Sequence, residues 1–376
     1  MSVLNITLSH ASYPIYVESG VLDQVGALCR KHAGAAQVCI ITDDNVGPLY
    51  LEQVSRLMTD AGYQVLSIVL PAGEQTKATR VCDDIYTKLI EAHFERSSII
   101  VALGGGVIGD LSGFIAATYL RGVRFVQVPT TLLAQTDSSV GGKVGVNHPL
   151  GKNLIGAFYH PECVVIDPLV LKTLPAREMS AGMGEVVKYG PIWDEEFFGF
   201  VESRLEDLLT LTNLTDVEHI VYRSCEIKAH VVDEDEKEGG LRKILNYGHT
   251  FGHAIEYVTG FNTFLHGEGV VLGMEAALLM SERIAGLPAE QSRRAEQLFR
   301  RLPMPHVAGA IDTAAVSNAM RRDKKVEGGK VKFVLIERLG KAVVHAVADT
   351  ALWAESIDYG LRRIRNAAAA SGGTES

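Results

Sequence analysis

Along the first half of the chain, short β-branched runs alternate with segments of helical period. The runs QVCIITDD (37–44), YQVLSIVLP (63–71), SSIIVALGG (97–105), VRFVQVPTT (123–131) and CVVIDP (163–168) are apolar, strand-length and bounded by turn residues. Helix-patterned stretches lie between them near 47–61, 76–93 and 108–120. This rhythm predicts a mainly parallel sheet with helices on its faces. Near Leu174–Arg177 the period changes, and helical segments follow at 178–189, 194–210, 215–233, 246–258, 267–285 and 289–301. The pattern therefore predicts an α/β domain over 1–177 and an all-α domain over 178–376. KVKFVLIERLGKAVVHAV (330–347) reads as a small hairpin and the tail NAAAASGGTES as frayed.

Composition narrows the function classes. A chain of 376 residues with 47% hydrophobic and 22% charged residues is ordinary for a soluble globular enzyme. Its net charge of -9 argues against general nucleic-acid or membrane binding but leaves room for a local cationic pocket. The five cysteines (Cys29, Cys39, Cys82, Cys163, Cys225) are scattered and never in a CxxC spacing, which predicts reduced thiols in the cytosol. The opening MSVLNITLSH has no secretory pattern, and the longest apolar stretch, VVLGMEAALLM, is short and broken by Glu275, so no membrane span is expected.

VALGGGVIGDLSG (101–113) follows a strand and opens a helix. Gly104, Gly106 and Gly109 fit GxGxxG, a pattern that lets backbone N–H groups approach a pyrophosphate. A tight strand–helix turn would look the same. Support for a nucleotide comes from the other strand ends: Asp43, the AGEQTK segment with Glu74 and Lys77, and the pair Thr130 and Thr131. Those ends are where an open α/β sheet binds its ligand.

QTDSSVGGKVGVNHPLGKNLIGAF (135–158) concentrates Asp137, Lys143, Lys152 and Asn153 in a glycine-rich segment that reads as a loop. Its length argues for function, and the interleaved valines argue against disorder. In SAGMGEVVKYG (180–190), Glu185 and Lys188 stand three apart on a helix whose circumference is otherwise largely apolar, so the pair points into a site. Lys228 lies on the apolar stripe of 216–238, which suits either a snorkelling lysine or a charge aimed at an anion.

In GGLRKILNYGHTFGHAIE (239–256), spacings of four, three and four put Arg242, Asn246, His249 and His253 on one helical face. His266 follows in FLHGEGV. The two histidines four apart match the spacing of HExxH, but Thr250 replaces its glutamate, so protease chemistry is not expected. Three histidines with a carboxylate suit a catalytic zinc site with an open position. Spacing alone leaves open whether one or both of His249 and His253 bind metal. Lys324 and Lys325 form a basic turn near the end of the chain.

Taken together, these motifs resemble the dehydroquinate synthase family of sugar-phosphate cyclases. The resemblance runs in order through ITDDN, GEQTK, GGGVIGDL, YLRG, PTTLLAQTDSSVGGKVGVN, GKNLIGAF, GMGEVVKYG, LNYGHTFGHAIE, LHGE and DKKV. It implies that Glu185, His249 and His266 bind one divalent metal, zinc or cobalt, while His253 faces the substrate. It implies an NAD site lined by Asp43, Ala72, Gly73, Glu74, Gln75, Thr76, Lys77, Gly106, Val107, Ile108, Gly109, Asp110, Thr130, Thr131, Lys143, Lys152, Val170, Leu171, Lys172 and Thr173. Around the substrate it implies Asp137, Lys143, Asn153, Lys188, Lys228, Arg242, Asn246, His253 and a lysine of the Lys324–Lys325 turn. Arg121 is implied to reach across a homodimer interface. The implied substrate is the anionic sugar phosphate 3-deoxy-D-arabino-heptulosonate 7-phosphate, converted to 3-dehydroquinate and phosphate with NAD used and regenerated in each turnover. A metal-dependent polyol dehydrogenase and a cyclase for another heptulose phosphate are the rival readings.

Overall fold

The computed structural model describes the chain except residues 1, 9–10, 35, 237–238, 308–310, 323–325, 328–329 and 372–376. In chain order the strands are β1 (Ser2–Thr7), β2 (Ser12–Val17), β3 (Gln37–Asp43), β4 (Gln64–Leu70), β5 (Ile99–Gly104), β6 (Arg124–Pro129), β7 (Lys143–His148), β8 (Gly151–Phe158), β9 (Cys163–Ile166), β10 (Val326–Glu327), β11 (Lys330–Arg338) and β12 (Lys341–Val347). The α-helices are α1 (Val25–His32), α2 (Glu52–Asp60), α3 (Thr79–Glu91), α4 (Gly106–Thr118), α5 (Ala176–Trp193), α6 (Glu195–Leu209), α7 (Leu214–Glu234), α8 (His249–Val258), α9 (His266–Met280), α10 (Ala289–Arg300), α11 (Thr313–Arg322) and α12 (Thr350–Ser371).

Two compact units emerge, one of Met1–Leu174 with Leu211–Asp233 and one of Pro175–Thr210 with Glu234–Ser376. The first unit thus includes nearly all of α7, which a single cut at 177 would assign to the second.

In the first unit, seven strands run in the order β1-β2-β9-β6-β5-β3-β4. Only β1 and β2 pair antiparallel; the remaining neighbours are parallel. Every residue of β5 and β9 is buried, as expected for parallel strands covered on both faces. Successive side chains alternate between faces, so Val38 and Ile40 of β3 enter one core while Cys39 and Ile41 enter the other. The five apolar runs read from sequence are β3, β4, β5, β6 and β9.

The segment expected to be a loop at 135–158 instead contains the antiparallel hairpin β7–β8. Its glycines make the pairing possible: a Cβ at Gly156 would lie 2.4 Å from the Val144 carbonyl oxygen. Val144 and Val146 then join the core beneath it.

The second unit is mostly helical, as expected, and the hairpin read at 330–347 is β11–β12; with β10 it makes a three-stranded antiparallel sheet, so the unit is not purely α. It is part of the core, because β11 buries Phe333 against Phe251 of α8 and Trp353 of α12, with ring centroids at 5.1 and 5.8 Å. The end of the chain is also more ordered than its alanine-rich composition suggests. In α12, Trp353, Ile357, Leu361 and Ile364 are buried at helical spacing, and the helix continues through NAAAAS. The rest of that tail lies outside the described residues.

Candidate active site

In the first unit, the strand ends β3 to β6 carry the residues implied for a nucleotide. Asp43 caps its own turn, its Oδ1 accepting from the backbone N–H groups of Asn45 at 3.0 Å and Val46 at 2.9 Å. Asp44 accepts from Ala72 N–H at 2.8 Å and so ties the ends of β3 and β4. Tyr50 donates to the Val170 carbonyl at 3.2 Å and meets Thr173 Oγ1 at 2.7 Å, bringing the 168–173 turn, with Leu171 and Lys172, to the same edge.

After β4, Gly73 adopts φ 113°, a backbone that favours glycine, and Glu74, Gln75 and Thr76 form a short turn. Lys77 follows, 4% exposed, with Nζ bound to the Asp110 carboxylate and 2.5 Å from Asn153 Oδ1. Burial pushes the Asp110 carboxyl above its usual range, only partly offset by Lys77. Asn153 donates its backbone N–H to Asn147, which in turn donates to Glu74 at 2.7 Å. One polar chain therefore joins the β4 loop, α4 and the hairpin. Asp110, expected where loop meets helix, sits inside the first turns of α4.

The glycine loop has no side-chain cap on α4, so the N–H groups of Gly106, Val107 and Ile108 that open this helix have no side-chain acceptor, while Gly109 N–H donates to the Gly105 carbonyl at 3.0 Å. A Cβ at Gly105 would lie 3.0 Å from Thr131, and one at Gly106 3.2 Å from Ser138 Oγ. Thr130 donates its backbone N–H to the Gly104 carbonyl, while its buried Oγ1 makes no hydrogen bond. A glycine-lined helix start beside an unsatisfied hydroxyl fits a pyrophosphate-bearing cofactor.

The same unit gathers part of the implied substrate set. Lys228 Nζ, on α7, donates to the Asp137 carbonyl at 2.7 Å and lies 3.0 Å from its Oδ1. Lys143 and Lys152 are exposed on β7 and β8. Arg121 is exposed in a turn where Leu120, Arg121 and Gly122 have φ of 49°, 68° and 123°.

In the second unit, three helices bring the implied metal residues together. Glu185 and Lys188 of α5 are 0% and 1% exposed and form an ion pair through Glu185 Oε2. Its other oxygen, Oε1, is buried without a hydrogen bond. It lies 3.3 Å from His266 Nε2 and 3.5 Å from His249 Nε2. The far side of each imidazole is held: His249 Nδ1 meets the Tyr247 carbonyl at 3.1 Å, and His266 Nδ1 meets Glu256 Oε1 at 3.1 Å. Carbonyl and carboxylate only accept, so both Nδ1 atoms carry hydrogen and both Nε2 atoms aim at Glu185.

This convergence depends on close helix contact. A Cβ at Gly267 of α9 would lie 1.8 Å from the Ala181 carbonyl oxygen of α5, and one at Gly273 1.9 Å from that of Gly248. The start of α9 is further pinned by Glu268, which accepts from Leu265 N–H and from Arg177 at 2.7 and 2.8 Å.

The electrostatics favour a cation. Burial works against a charged Glu185, but Lys188, His249 and His266 hold its carboxyl well below the usual range. Burial lowers His249 far below an ordinary histidine. It also opposes charge on His266, yet Glu185 and Glu256 override it and push that imidazole up to about 10. Two carboxylates that hold a proton on one imidazole also attract a metal.

His253 complicates the ligand set, because a ring nitrogen of each of His249, His253 and His266 lies within 4.8 Å of the others. His253 is the exposed one of the three. We favour Glu185 as the third ligand, since its orphaned oxygen is fully buried and already flanked by two Nε2 atoms. Arg242 is 3% exposed and donates to the Glu236 carbonyl at 2.6 Å; Asn246 precedes α8 in the same 3-10 turn. Lys324 and Lys325 lie outside the described residues. Glu256 was not singled out in the sequence, although it stands seven residues after His249 on the same helix face.

Among the described residues no helix is long and apolar enough to cross a membrane, and all five cysteines are buried and free.

The family models described as 3-dehydroquinate synthase N-terminal and 3-dehydroquinate synthase C-terminal match residues 67–181 and 182–326. A 3-dehydroquinate synthase of Azotobacter vinelandii is 48% identical over 345 residues, 92% of this chain and 93% of its own. One from Nitrosospira multiformis is 47% identical over 351 residues, 93% and 95%. Among solved structures, a 2-deoxy-scyllo-inosose synthase complexed with carbaglucose-6-phosphate, NAD+ and Co2+ has a TM-score of 0.87 at 25% identity, covering 95% of this chain and 99% of that one. A probable glycerol dehydrogenase from Sinorhizobium meliloti, at TM-score 0.58 and 15% identity over 96% of this chain and 99% of that one, shares the fold alone. With the two family models matching residues 67–326 in succession and relatives nearly half identical along almost their whole length, the chain belongs to the 3-dehydroquinate synthase family.

Proposed function

We propose that the chain is a 3-dehydroquinate synthase, a carbon–oxygen lyase that converts 3-deoxy-D-arabino-heptulosonate 7-phosphate to 3-dehydroquinate and phosphate. The observation that carries this reading is the buried, orphaned Glu185 Oε1 facing two imidazole Nε2 atoms beside a buried lysine. It is read together with relatives of that name at 47–48% identity. When bound, NAD accepts and returns a hydride and a divalent zinc or cobalt ion supplies Lewis acidity toward substrate hydroxyls.

Glu185, His249 and His266 would hold the metal. Lys188 neutralises part of the Glu185 charge and keeps the carboxylate ionised in a buried place. His253 is exposed beside the two imidazoles and would exchange a proton with substrate. Lys228 and Arg242, both largely buried, supply cationic hydrogen-bond donors for a substrate with a carboxylate and a phosphate. The helix start at Gly106–Gly109 would take the cofactor's pyrophosphate, and the Lys77–Asp110 pair fixes the adjoining loop. These buried cations explain how a chain of net charge -9 accepts an anionic substrate.

We also read the chain as a cytoplasmic homodimer in aromatic amino acid biosynthesis by the shikimate pathway. Reduced buried thiols suit that compartment. The decisive assay incubates the protein with the heptulosonate phosphate, NAD and zinc, and follows phosphate and NADH absorbance together. Phosphate should appear in step with substrate loss while no NADH accumulates. NADH rising one for one with turnover would identify a dehydrogenase instead, and turnover only with a substrate lacking the carboxylate would identify another cyclase.

A further inference from the structure

The carboxylate of Glu256 stands behind His266. It is 4% exposed, on α8, with Oε1 at 3.1 Å from His266 Nδ1. Room for it is made by Gly269 of α9, where a Cβ would lie 2.9 Å from the same oxygen. The corresponding atom of His249 meets a neutral carbonyl, that of Tyr247. The two imidazoles are therefore backed unequally, one by a peptide dipole and one by a full negative charge.

From this geometry we infer that Glu256 is a positioning residue for the metal: by accepting from Nδ1–H it fixes the ring plane of His266, so that Nε2 is the nitrogen that faces Glu185 Oε1. The inference rests on the metal reading above. An imidazole that ligates through one nitrogen is commonly oriented by a carboxylate on the other, and losing that partner weakens metal binding by about 10- to 100-fold. His266 needs such an anchor more than His249 does. Its side chain is 36% exposed against 12%.

The test measures zinc affinity of the whole chain by competition with a chromophoric chelator, and the visible spectrum of the cobalt form. Glu256→Ala is expected to bind zinc about 10- to 100-fold more weakly and to alter the cobalt bands. Glu256→Gln keeps an acceptor oxygen and should recover most of that loss. Should Glu256→Ala fail to fold, Glu256→Gln and Glu256→Asp carry the test, with Asp, whose shorter arm withdraws the oxygen, binding more weakly than Gln. Wild-type affinity in folded Glu256→Ala, or Gln as weak as Ala, overturns the inference. Failure of the wild-type chain to bind zinc or cobalt at all would instead sink the metal reading.

Discussion

Lys228 and Asp137 meet at two atoms: the lysine Nζ donates to the Asp137 carbonyl at 2.7 Å and lies 3.0 Å from its carboxylate. The side chain of Lys228 is 9% exposed, so this cation is held in place by the backbone as well as by charge. Removing it should therefore touch stability and substrate binding separately. Lys228→Ala is expected to cost about 1–3 kcal/mol in denaturant unfolding, the usual worth of a charge-assisted hydrogen bond. Activity should fall as well, by at least about 100-fold in kcat/KM, equivalent to about 2.7 kcal/mol. A folded variant with near-normal kcat/KM would assign the lysine to structure alone.

The two histidines of α8 make opposite predictions. His249→Ala should lose bound metal, since one of three donors disappears from a site that needs all of them. His253→Ala should retain metal and lose turnover. Metal content by atomic emission, with the rate on folded protein, separates the cases. If His253→Ala is stripped as thoroughly as His249→Ala, the three-histidine set is the ligand set.

A pH dependence of stability is expected at Glu275 of α9. Burial pushes this carboxyl up to about 7 against the pull of Arg363, which donates to it at 2.9 Å. A folded pKa above the unfolded value means that the native state holds the proton more tightly. The stabilisation is full below about pH 4.5 and is lost as pH rises through 7. Glu275→Gln should flatten the fall in stability between those values and equal or exceed the wild type at pH 8. Urea midpoints across that range check it, and an unchanged slope would refute it.

Arg121 occupies a left-handed backbone, φ 68°, which costs an ordinary side chain free energy that glycine does not pay. Arg121→Gly should leave stability unchanged or raise it by up to about 1 kcal/mol. If the arginine serves a neighbouring subunit, that same variant loses activity. Mixing Arg121→Gly with His253→Ala should then restore part of it through hybrid dimers. A fully active monomer in sedimentation at assay concentration would remove the idea.

The central sheet was legible because parallel strands buried on both faces leave uninterrupted apolar runs, as in β5 and β9. Strands β7 and β8 were not, since their pairing relies on glycines at 145 and 156 that locally signal a turn. Helix α12 was hidden behind an alanine tail, although Trp353, Ile357, Leu361 and Ile364 carried its period. At the site, Glu185, His249 and His266 were reached by resemblance, and the spacing of the two α8 histidines alone left their roles open. Glu256 was missed because a glutamate at the end of a helix resembles any solvated one until a neighbouring helix without a side chain, at Gly269, covers it.

The bare backbone contacts at Gly267 and Gly273 act as a ruler for the three donors they draw together. Metal–ligand lengths are tolerated within about 0.2 Å, far less than the displacement a single methyl would force on helices already touching. On the proposed ligand set, the precision of the metal pocket would be stored in main-chain spacing, where side-chain rotamers cannot relax it. Loosening that spacing should reveal itself first as lost discrimination between zinc, cobalt and other ions, and only later as unfolding.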